Sequence, residues 1–416
     1  MLAKKRDNRK VHEVWITGIG LVSSLGDGAE AHWDHLSAGG GPVTAPATHL
    51  PYDIHPVVDL DYALHIPRRG DQRQMGPWQR LGTYAAGQAL ADAGIAGNPD
   101  YCARTNMVVA AGGGERDIDL DNEILSALNG PDAPNDADAY LNTAMMDGLR
   151  PTLFLAQLPN LLAGNISIVH KITGSSRTFM GEEPAGVSAV EVAFDRISAG
   201  QGELFLVGSA NNADCAEMLL LLELANKSWP GAAAPVWARQ QSGGGIVTGS
   251  VGAFLVMESR EHAQARNARV YARLTAVASA RRNWSQSLAD DGTQAAEAEA
   301  ALDVLTRTLA PGPLAVISGA CGSEPATGDE RRFLERLQAG GQDLAVRATG
   351  TVLGHSMEAH FPAGLALGAL AISKGEYYPP FDAGGFEGPN GGSMDRALVT
   401  SWGHWHGQGL GLLEKP

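Results

Sequence analysis

Runs of apolar residues that end in glycine-rich turns recur along the whole chain. β-Branched and other apolar residues without polar alternation are typical of strands buried on both faces. This pattern predicts strands at 14–25 (running into a loop), 106–111, 166–170, 202–210, 249–258, 269–279, 313–320 and 397–402. We expect 249–258 and 269–279 to form a pair.

Apolar and small residues at helical spacing lie between these strands. They predict helices from a turn after Thr178 to about Ser198, and at 79–93, 295–309, 329–339 and 361–373. This alternation over two successive halves predicts an α/β protein with a duplicated fold, whose site lies where the glycine-rich loops meet. No linker-like segment separates the halves, 1–260 and 261–416, so we expect them to pack as one body.

Composition and charge exclude several classes of protein. The 416 residues carry a formal charge of −15, which argues against nucleic-acid binding because that function needs a basic face. The three Cys residues lack the spacing of a metal site or a disulfide framework, and the N-terminus lacks the apolar core of a secretory signal. The apolar run at 361–373 is too short to span a bilayer. We therefore expect a cytoplasmic protein without a membrane span.

The stretch TFMGEEPAG at 178–186 has the pattern of an elbow between a strand and a helix. Such an elbow usually presents a Ser or Cys nucleophile, but here Glu182 and Glu183 occupy its tip. Pro184 suits the first turn of a helix, and the positive end of the helix dipole favours a carboxylate at Glu183. The sequence thus predicts an acid where a nucleophile is usual.

Five segments together resemble the β-ketoacyl-acyl-carrier-protein synthases of the thiolase fold. They are VWITGIGLVSSLG, NLLAGNISIVHKITGSSRTF, GSVGAFLVMESREHAQARNARVYARL, ISGACGSEPATGDE and GTVLGHSMEA. These segments follow the family's order. The likeness to the family extends over nearly the whole chain. The resemblance implies a layered αβαβα body of two similar α/β halves, which works as a dimer with an acyl carrier protein.

Members of this family join an acyl thioester to malonyl-carrier protein with loss of carbon dioxide, using a Cys, two His and a Lys. Matching the motifs places Glu183 at the Cys, Cys321 at the first His, Gly350 at the Lys and His355 at the second His. Only His355 keeps the family's residue. The resemblance therefore implies a degenerate site without its condensing nucleophile.

The C-terminal TSWGHWHGQG resembles the family's loop beside the substrate pocket. His404 takes the place of a Phe, and Trp405 and the following His replace two Gly, so we expect a crowded pocket. Gly112 and Gly113 open a glycine-rich loop without a nucleotide-binding pattern. This loop is predicted to line the acyl pocket or the dimer seam.

A basic cluster, PRRGDQRQMGPWQR, interrupts the acidic chain. Its members Arg68, Arg69, Arg73 and Arg80 form either a solvated face or a docking site for an acidic carrier protein or partner subunit. Both interpretations stay open from the residues alone.

Glu183 is interpreted either as a charged plug or as a group that assists malonyl decarboxylation, although its charge would repel a malonyl carboxylate. Cys321 is interpreted either as a displaced nucleophile or, because no activating base lies at a fixed sequence offset, as a small buried hydrophobe, and the second interpretation is favoured. Together with Glu183 and His404, His355 and His360 have the residue types of a metal site. Loop His residues on this scaffold are more often hydrogen-bonded, so we assign no metal and no cofactor.

Three functions are compatible with these residues. The first is a chain-length-factor-like partner of a competent ketosynthase in fatty acid biosynthesis. GEEPAG and GHSMEAH also resemble the second ketosynthase of very-long-chain systems for lipid A in some Gram-negative bacteria. The second function is an active malonyl-carrier decarboxylase or condensing acyltransferase that uses Glu183 and His355. The third is a homodimeric acyl-binding scaffold.

Overall fold

A computed structural model describes residues 11–48, 51–283, 300, 302–303, 305–307, 309–389 and 394–416. Its strands are β1 Val14–Ser23, β2 Gly26–Asp27, β3 Ala45–Pro46, β4 Asp53–Ile54, β5 Asn106–Ala110, β6 Ser176–Phe179, β7 Leu204–Asn211, β8 Val251–Ser259, β9 Ala272–Asn283, β10 Gly312–Ser318, β11 Gln342–Ala348, β12 Arg396–Trp402 and β13 His406–Glu414. Its helices are α1 Ala29–Ser37, α2 Arg69–Gln74, α3 Pro77–Asp92, α4 Pro99–Arg104, α5 Ile118–Asn129, α6 Ala137–Gly148, α7 Leu153–Gln157, α8 Asn160–His170, α9 Glu182–Ser198, α10 Ala216–Leu224, α11 Val236–Gln241, α12 Arg260–Ala265, α13 Ala326–Ala339, α14 Thr349–Val352 and α15 His360–Lys374. The predicted helix at 295–309 lies largely outside the described residues.

One mixed sheet of 11 strands runs through the molecule in the order β11-β10-β12-β13-β9-β1-β8-β7-β5-β6, with β2 beside β1. The order of the second half, β11-β10-β12-β13-β9, repeats that of the first, β6-β5-β7-β8-β1. Strand β1 joins the halves, because it pairs antiparallel with β8 and, near its start, with β9. The strand order thus has the repeat that the alternating pattern predicted, while the boundary between 260 and 261 stays a prediction.

Large clusters of buried apolar side chains lie between the layers of the fold and pack them together. The central cluster places α9 and α15 between strands of both halves. A second cluster packs α3 and α8 against the first-half strands, and a third packs α13 against the second-half strands. The α15 helix is apolar on all faces because it is buried on all faces. The thiolase-like α/β fold is therefore confirmed.

Two strand predictions were wrong. Residues 166–170 form the end of α8, because a short apolar run has no periodicity that separates a strand from a buried helical turn. Helix α8 buries Leu162, Ala163 and Ile166, which lie on one helical face. Strands β8 and β9 do not pair with each other, since β1 lies between them. Adjacency along the chain does not imply adjacency in the sheet.

The sequence pattern does not predict strand β13, because glycines interrupt its apolar residues. Gly409 and Gly411 alternate with apolar residues in it, and Gly is otherwise depleted in strands. A Cβ at Gly409 would lie 2.5 Å from a methyl group of Val187 on α9. The missing side chain therefore lets the central helix lie directly against β13. Within the described part of the chain, no helix is both long and apolar enough to cross a bilayer.

Replacing Gly186 on α9 tests how closely this helix approaches its neighbours. A Cβ there would lie 2.3 Å from the carbonyl oxygen of Glu358, a backbone atom that cannot move freely. We expect Gly186→Ala to lower the free energy of unfolding by about 1–3 kcal/mol in urea denaturation. Gly164→Ala on α8, whose nearest neighbour is a Leu161 methyl group at 3.3 Å, should be neutral or slightly stabilising. Equal losses in both variants would contradict the close approach.

Glu330 on α13 connects two strands of the second half. Its Oε1 accepts hydrogen bonds from Ser318 Oγ at 2.7 Å and Thr400 Oγ1 at 2.5 Å. Burial raises its pKa from 4.5 to about 7. A carboxyl whose pKa is raised on folding stabilises the fold only while protonated, so this contribution falls as pH rises from 4.5 through about 7.

We therefore expect a pH-dependent difference between the native chain and Glu330→Gln, which stays neutral at every pH. The free energy of unfolding of the native chain should drop by up to about 3 kcal/mol relative to the variant between pH 4.5 and 8. Urea denaturation across that pH range measures the difference. Parallel pH profiles for the two proteins would show that Glu330 ionises normally in the fold.

Candidate functional site

The elbow between β6 and α9 delivers Glu183 into the interior. Gly181 and Glu182 have φ of 124° and 57°, so two successive residues take positive φ. Gly tolerates this conformation, whereas Glu182 is strained in it. Helix α9 begins at Glu182, two residues before the predicted start near Pro184, so Glu183 lies in its first turn. The tight turn thus places a carboxylate at the positive end of a helix.

Two imidazoles hold one oxygen of the Glu183 carboxylate. Nε2 of His355 lies 2.5 Å from Oε1, and Nδ1 of His404 lies 2.8 Å from the same atom. The backbone N–H of His404 also donates to this oxygen at 3.2 Å. All three side chains are at most 1% exposed. We refer to Glu183, His355 and His404 as the Glu-His-His group.

Electrostatic complementarity sets the protonation of this group. Burial alone would raise the pKa of Glu183, but the charges and hydrogen bonds of His404 and His355 outweigh burial and hold that pKa well below its usual range. Burial lowers the pKa of His404, yet the charge and hydrogen bond of Glu183 raise it overall. The site therefore favours an ionised carboxylate beside a protonated imidazole.

The remaining two positions of the expected site offer no reactive group. Cys321 follows β10 and is fully buried, and burial raises the pKa of its thiol to about 11. The thiol is therefore protonated at neutral pH and a poor nucleophile. A Cβ at Gly350 would lie 2.5 Å from the carbonyl oxygen of Ala320, so this backbone has no room for a side chain.

Sequence reasoning missed two cations near these loops. Arg239 on α11 is fully buried, and its guanidinium donates to the carbonyl oxygens of Cys321 and Gly350, each at 3.2 Å. It thereby ties together the two loops that hold those residues. Lys227 is half-buried, with Nζ 5.8 Å from the centre of the Trp405 ring, and burial lowers its pKa. Neither residue lies in a recognisable motif, so only the tertiary structure brings them here.

His360 stands apart from the Glu-His-His group, although the sequence grouped these residues. Its Nε2 lies 3.2 Å from the hydroxyl of Thr349, and its Nδ1 lies 3.4 Å from that of Ser356. Its ring is 4.8 Å from the ring of His355, centre to centre. His360 therefore supports the loop and does not contact Glu183 through a hydrogen bond.

A cavity of about 250 Å³ lies beside the elbow, and Gly112 and Gly113 line it. That this cavity receives an acyl group stays a prediction. Glu115, Glu182 and Glu358 line it too. Burial raises the pKa of Glu115 and of Glu182 to about 7, and it raises the pKa of Glu358. The cavity is therefore more polar than a simple hydrocarbon pocket.

The two other pocket residues named from the sequence, His404 and Trp405, are not among the residues that line this cavity. His404 is committed to Glu183, and the rings of His404 and Trp405 lie 5.0 Å apart. The expected crowding at this loop is thus present, because both rings occupy it. Their contact with a substrate stays a prediction.

The basic cluster lies at the surface. Arg68, Arg69 and Arg73, on and just before α2, are exposed, whereas Arg80 is partly buried with its guanidinium 5.6 Å from the Tyr62 ring centre. The first three side chains are therefore available to an acidic partner. Docking by these residues stays a prediction.

The fold and the elbow define a class: thiolase-like α/β proteins with a strand-to-helix elbow over a buried site. A family model described as the N-terminal domain of β-ketoacyl synthases matches residues 12–263. The chain belongs to the β-ketoacyl synthase family.

Relatives extend the likeness beyond that domain. An oxytetracycline polyketide putative β-ketoacyl synthase 1 of Streptomyces rimosus is 24% identical, over 89% of this chain and 88% of its own length. A 3-oxoacyl-[acyl-carrier-protein] synthase 2 of Rhizobium meliloti is 26% identical over 63% of this chain, and the match spans 62% of that relative.

Solved structures share the fold at low identity. One titled the ishigamide ketosynthase/chain length factor has a TM-score of 0.77 at 20% identity, covering 98% of this chain and 100% of its own. A β-ketoacyl synthase from Burkholderia phymatum has a TM-score of 0.75 at 16% identity, covering 97% and 100%. A type II polyketide acyl carrier protein in complex with its ketosynthase has a TM-score of 0.71 at 16% identity, covering 98% and 100%.

Removing the Glu183 carboxylate should be costly to the fold. Glu183→Ala leaves two buried imidazoles without their acceptor, so we expect the free energy of unfolding to fall by about 3–5 kcal/mol in urea denaturation. Glu376→Ala, at an exposed Glu just after α15, is the matched control, and it should change stability by about 0.5 kcal/mol or less. A Glu183→Ala variant as stable as the control would mean that the hydrogen bonds carry little energy.

Proposed function

We propose that this chain is a ketosynthase-like subunit of fatty acid biosynthesis that lacks a condensing nucleophile and assists an active ketosynthase in the manner of a chain-length factor. The observation that carries the proposal is the buried Glu183 at the elbow tip, with one oxygen occupied by two imidazoles and a backbone N–H. A carboxylate cannot hold an acyl group as an exchangeable thioester. The nearby Cys321 thiol does not substitute for it, because burial keeps it protonated.

The edge of the sheet supports assembly with another subunit. Strand β6 lies at the end of the strand order, so one of its edges has no neighbouring strand among the described residues. Met180 follows it and is 65% exposed, and Ile168 on the adjacent α8 is 57% exposed. An open edge flanked by exposed apolar side chains is typical of a surface that another chain covers. We propose that an active ketosynthase is that chain.

The structural neighbour titled a ketosynthase/chain length factor is consistent with such a pairing on this scaffold. We extend the role of a length-setting partner to this chain as part of the proposal. The cavity behind Gly112 and Gly113 gives the chain a surface with which to contact a growing acyl group. We propose the very-long-chain acyl groups of lipid A as the substrates, because the GEEPAG and GHSMEAH segments resemble the second ketosynthase of such systems.

Carrier-protein docking belongs to the same proposal. Arg68, Arg69 and Arg73 are exposed on a chain of net charge −15, so they provide a local positive surface for an acidic carrier protein. One of the solved structures that share this fold contains a ketosynthase in complex with its acyl carrier protein. Such a reaction partner also fits the cytoplasmic location that we propose.

Co-expression with a ketosynthase from the same genome that has an intact Cys-His-His site tests the partner function. We expect a stable mixed dimer by size-exclusion chromatography and longer acyl products than the ketosynthase makes by itself. Met180→Asp should abolish the mixed dimer, because it places a charge beside β6 in the proposed interface. Val43→Asp, at another exposed apolar residue, should leave it intact.

A chain that forms only homodimers and leaves product length unchanged would support the scaffold function instead. Loss of the mixed dimer in both variants would mean that added charge, not the β6 edge, is responsible.

The short contact between Glu183 and His355 favours malonyl-carrier decarboxylation as the second candidate function. An acid held beside a His has the components of proton transfer. Against it, the carboxylate is ionised and would repel the malonyl carboxylate. We expect the isolated chain to release no carbon dioxide from malonyl-carrier protein above background. Turnover that disappears in Glu183→Gln would replace the partner function with this one.

A further inference from the structure

The Glu-His-His group has the composition of a metal site as well as that of a hydrogen-bonded plug. Within the described residues, it is the group of His, Cys, Asp or Glu whose ligand atoms all lie within 4.8 Å of one another. Two imidazoles and one carboxylate are a donor set that Zn²⁺ uses in proteins. The sequence could not establish this proximity, because the three residues come from three separate segments.

The hydrogen bonds do not account for the whole carboxylate. Both imidazoles and the His404 N–H contact Oε1 of Glu183, while Oε2 is buried and has no hydrogen-bond partner among the described residues. A buried charged oxygen without a partner is unfavourable, and native structures rarely retain one. A cation beside this oxygen would remove the deficit.

We propose that Glu183, His355 and His404 bind one divalent transition-metal ion, with Zn²⁺ as the best match to the donors. The ligand atoms are Nε2 of His355, Nδ1 of His404 and a Glu183 oxygen. Metal–ligand distances of about 2.0–2.2 Å in a tetrahedral site separate ligand atoms by roughly 3.3 Å. The nitrogens lie 2.5 and 2.8 Å from Oε1, so the side chains must move apart by less than about 1 Å.

The surroundings fit a metal ligand set. Nε2 of His404, the ring nitrogen that faces away from Glu183 Oε1, lies 3.9 Å from Oε2 of Glu182. A carboxylate at the outer nitrogen of a ligating His orients the ring and strengthens it as a ligand. Oε2 of Glu182 is itself buried without a hydrogen-bond partner among the described residues. Glu182 is therefore available for this supporting role.

Metal binding replaces the protons that the imidazoles now donate to Glu183. A protonated His404 releases its Nδ1 proton to solvent, whereas a neutral His355 keeps its single proton, which moves to Nδ1 when Nε2 binds the ion. The ion then links the start of α9, the turn before residue 357 and the β12–β13 loop. Because all three ligand side chains are buried, we assign the ion the role of clamping these segments, and a water molecule would complete a tetrahedral set of four ligands.

Metal titration of the full-length chain tests the proposal. After removal of metal by a chelator, we expect isothermal titration calorimetry to show one Zn²⁺ per chain, and Co²⁺ to give the visible absorption of a tetrahedral site. His355→Ala and His404→Ala should weaken Zn²⁺ binding by at least about 100-fold, since even the loss of a supporting outer residue costs about 10- to 100-fold. His360→Ala, a buried His outside the ligand set, should keep the native affinity.

A variant that fails to fold would also lose Zn²⁺ binding, so Glu183→Gln is included. This substitution preserves the shape of the side chain while removing its charge. Each variant is compared by circular dichroism in the metal-free state. If the native chain binds no more Zn²⁺ than the His355→Ala and Glu183→Gln variants, the group is only hydrogen-bonded and the proposal is overturned. The proposal does not rest on the partner function, since a mixed dimer forms or fails to form in an assay independent of metal content.

Discussion

A single buried carboxylate constrains the architecture of this site. Glu183 stands at the tip of the elbow, and removing its charge from water is costly unless the surroundings replace the lost hydration. The start of α9, the backbone N–H of His404 and two imidazoles supply that replacement. These groups belong to the elbow and to two loops from the second half of the chain. The carboxylate therefore links the elbow to two loops from the second half of the chain.

The positions that the sequence matched to the family's reactive residues make structural contacts in this fold. Cys321 is buried and protonated, and Gly350 lies too close to Ala320 to carry a side chain. Arg239 joins the loops of Cys321 and Gly350 through their carbonyl oxygens. These contacts stabilise the loops independently of any catalytic role.

Three acidic side chains line the cavity beside the elbow. Glu115, Glu182 and Glu358 face a space that the family resemblance assigns to an acyl chain, and burial raises the pKa of each. Raised pKa values make these groups partly neutral near pH 7, which reduces the cost of burying them together. The cavity can therefore accept polar groups and hydrogen-bond donors as well as methylene groups.

The sequence by itself determined many of the long elements, and its family resemblance implied the layered α/β fold. The apolar runs that became β1, β7, β12 and α15 are unmistakable because burial on all sides requires apolar residues throughout. It also placed an acid at the elbow and matched four positions of the family's site, three of them altered, at Glu183, Cys321, Gly350 and His355. It misassigned the end of α8 and missed β13, where a short apolar run and alternating glycines carry no distinctive local period.

Only the tertiary structure decided which of these residues meet. Glu183, His355 and His404 are far apart along the chain, and no local pattern specifies that two imidazoles share one carboxylate oxygen. The same holds for Arg239, whose partners Cys321 and Gly350 lie more than 80 residues away. Such contacts arise from packing between the halves, and packing depends on the whole chain. The sequence therefore identified the residue types, whereas the fold set their hydrogen bonds and their protonation.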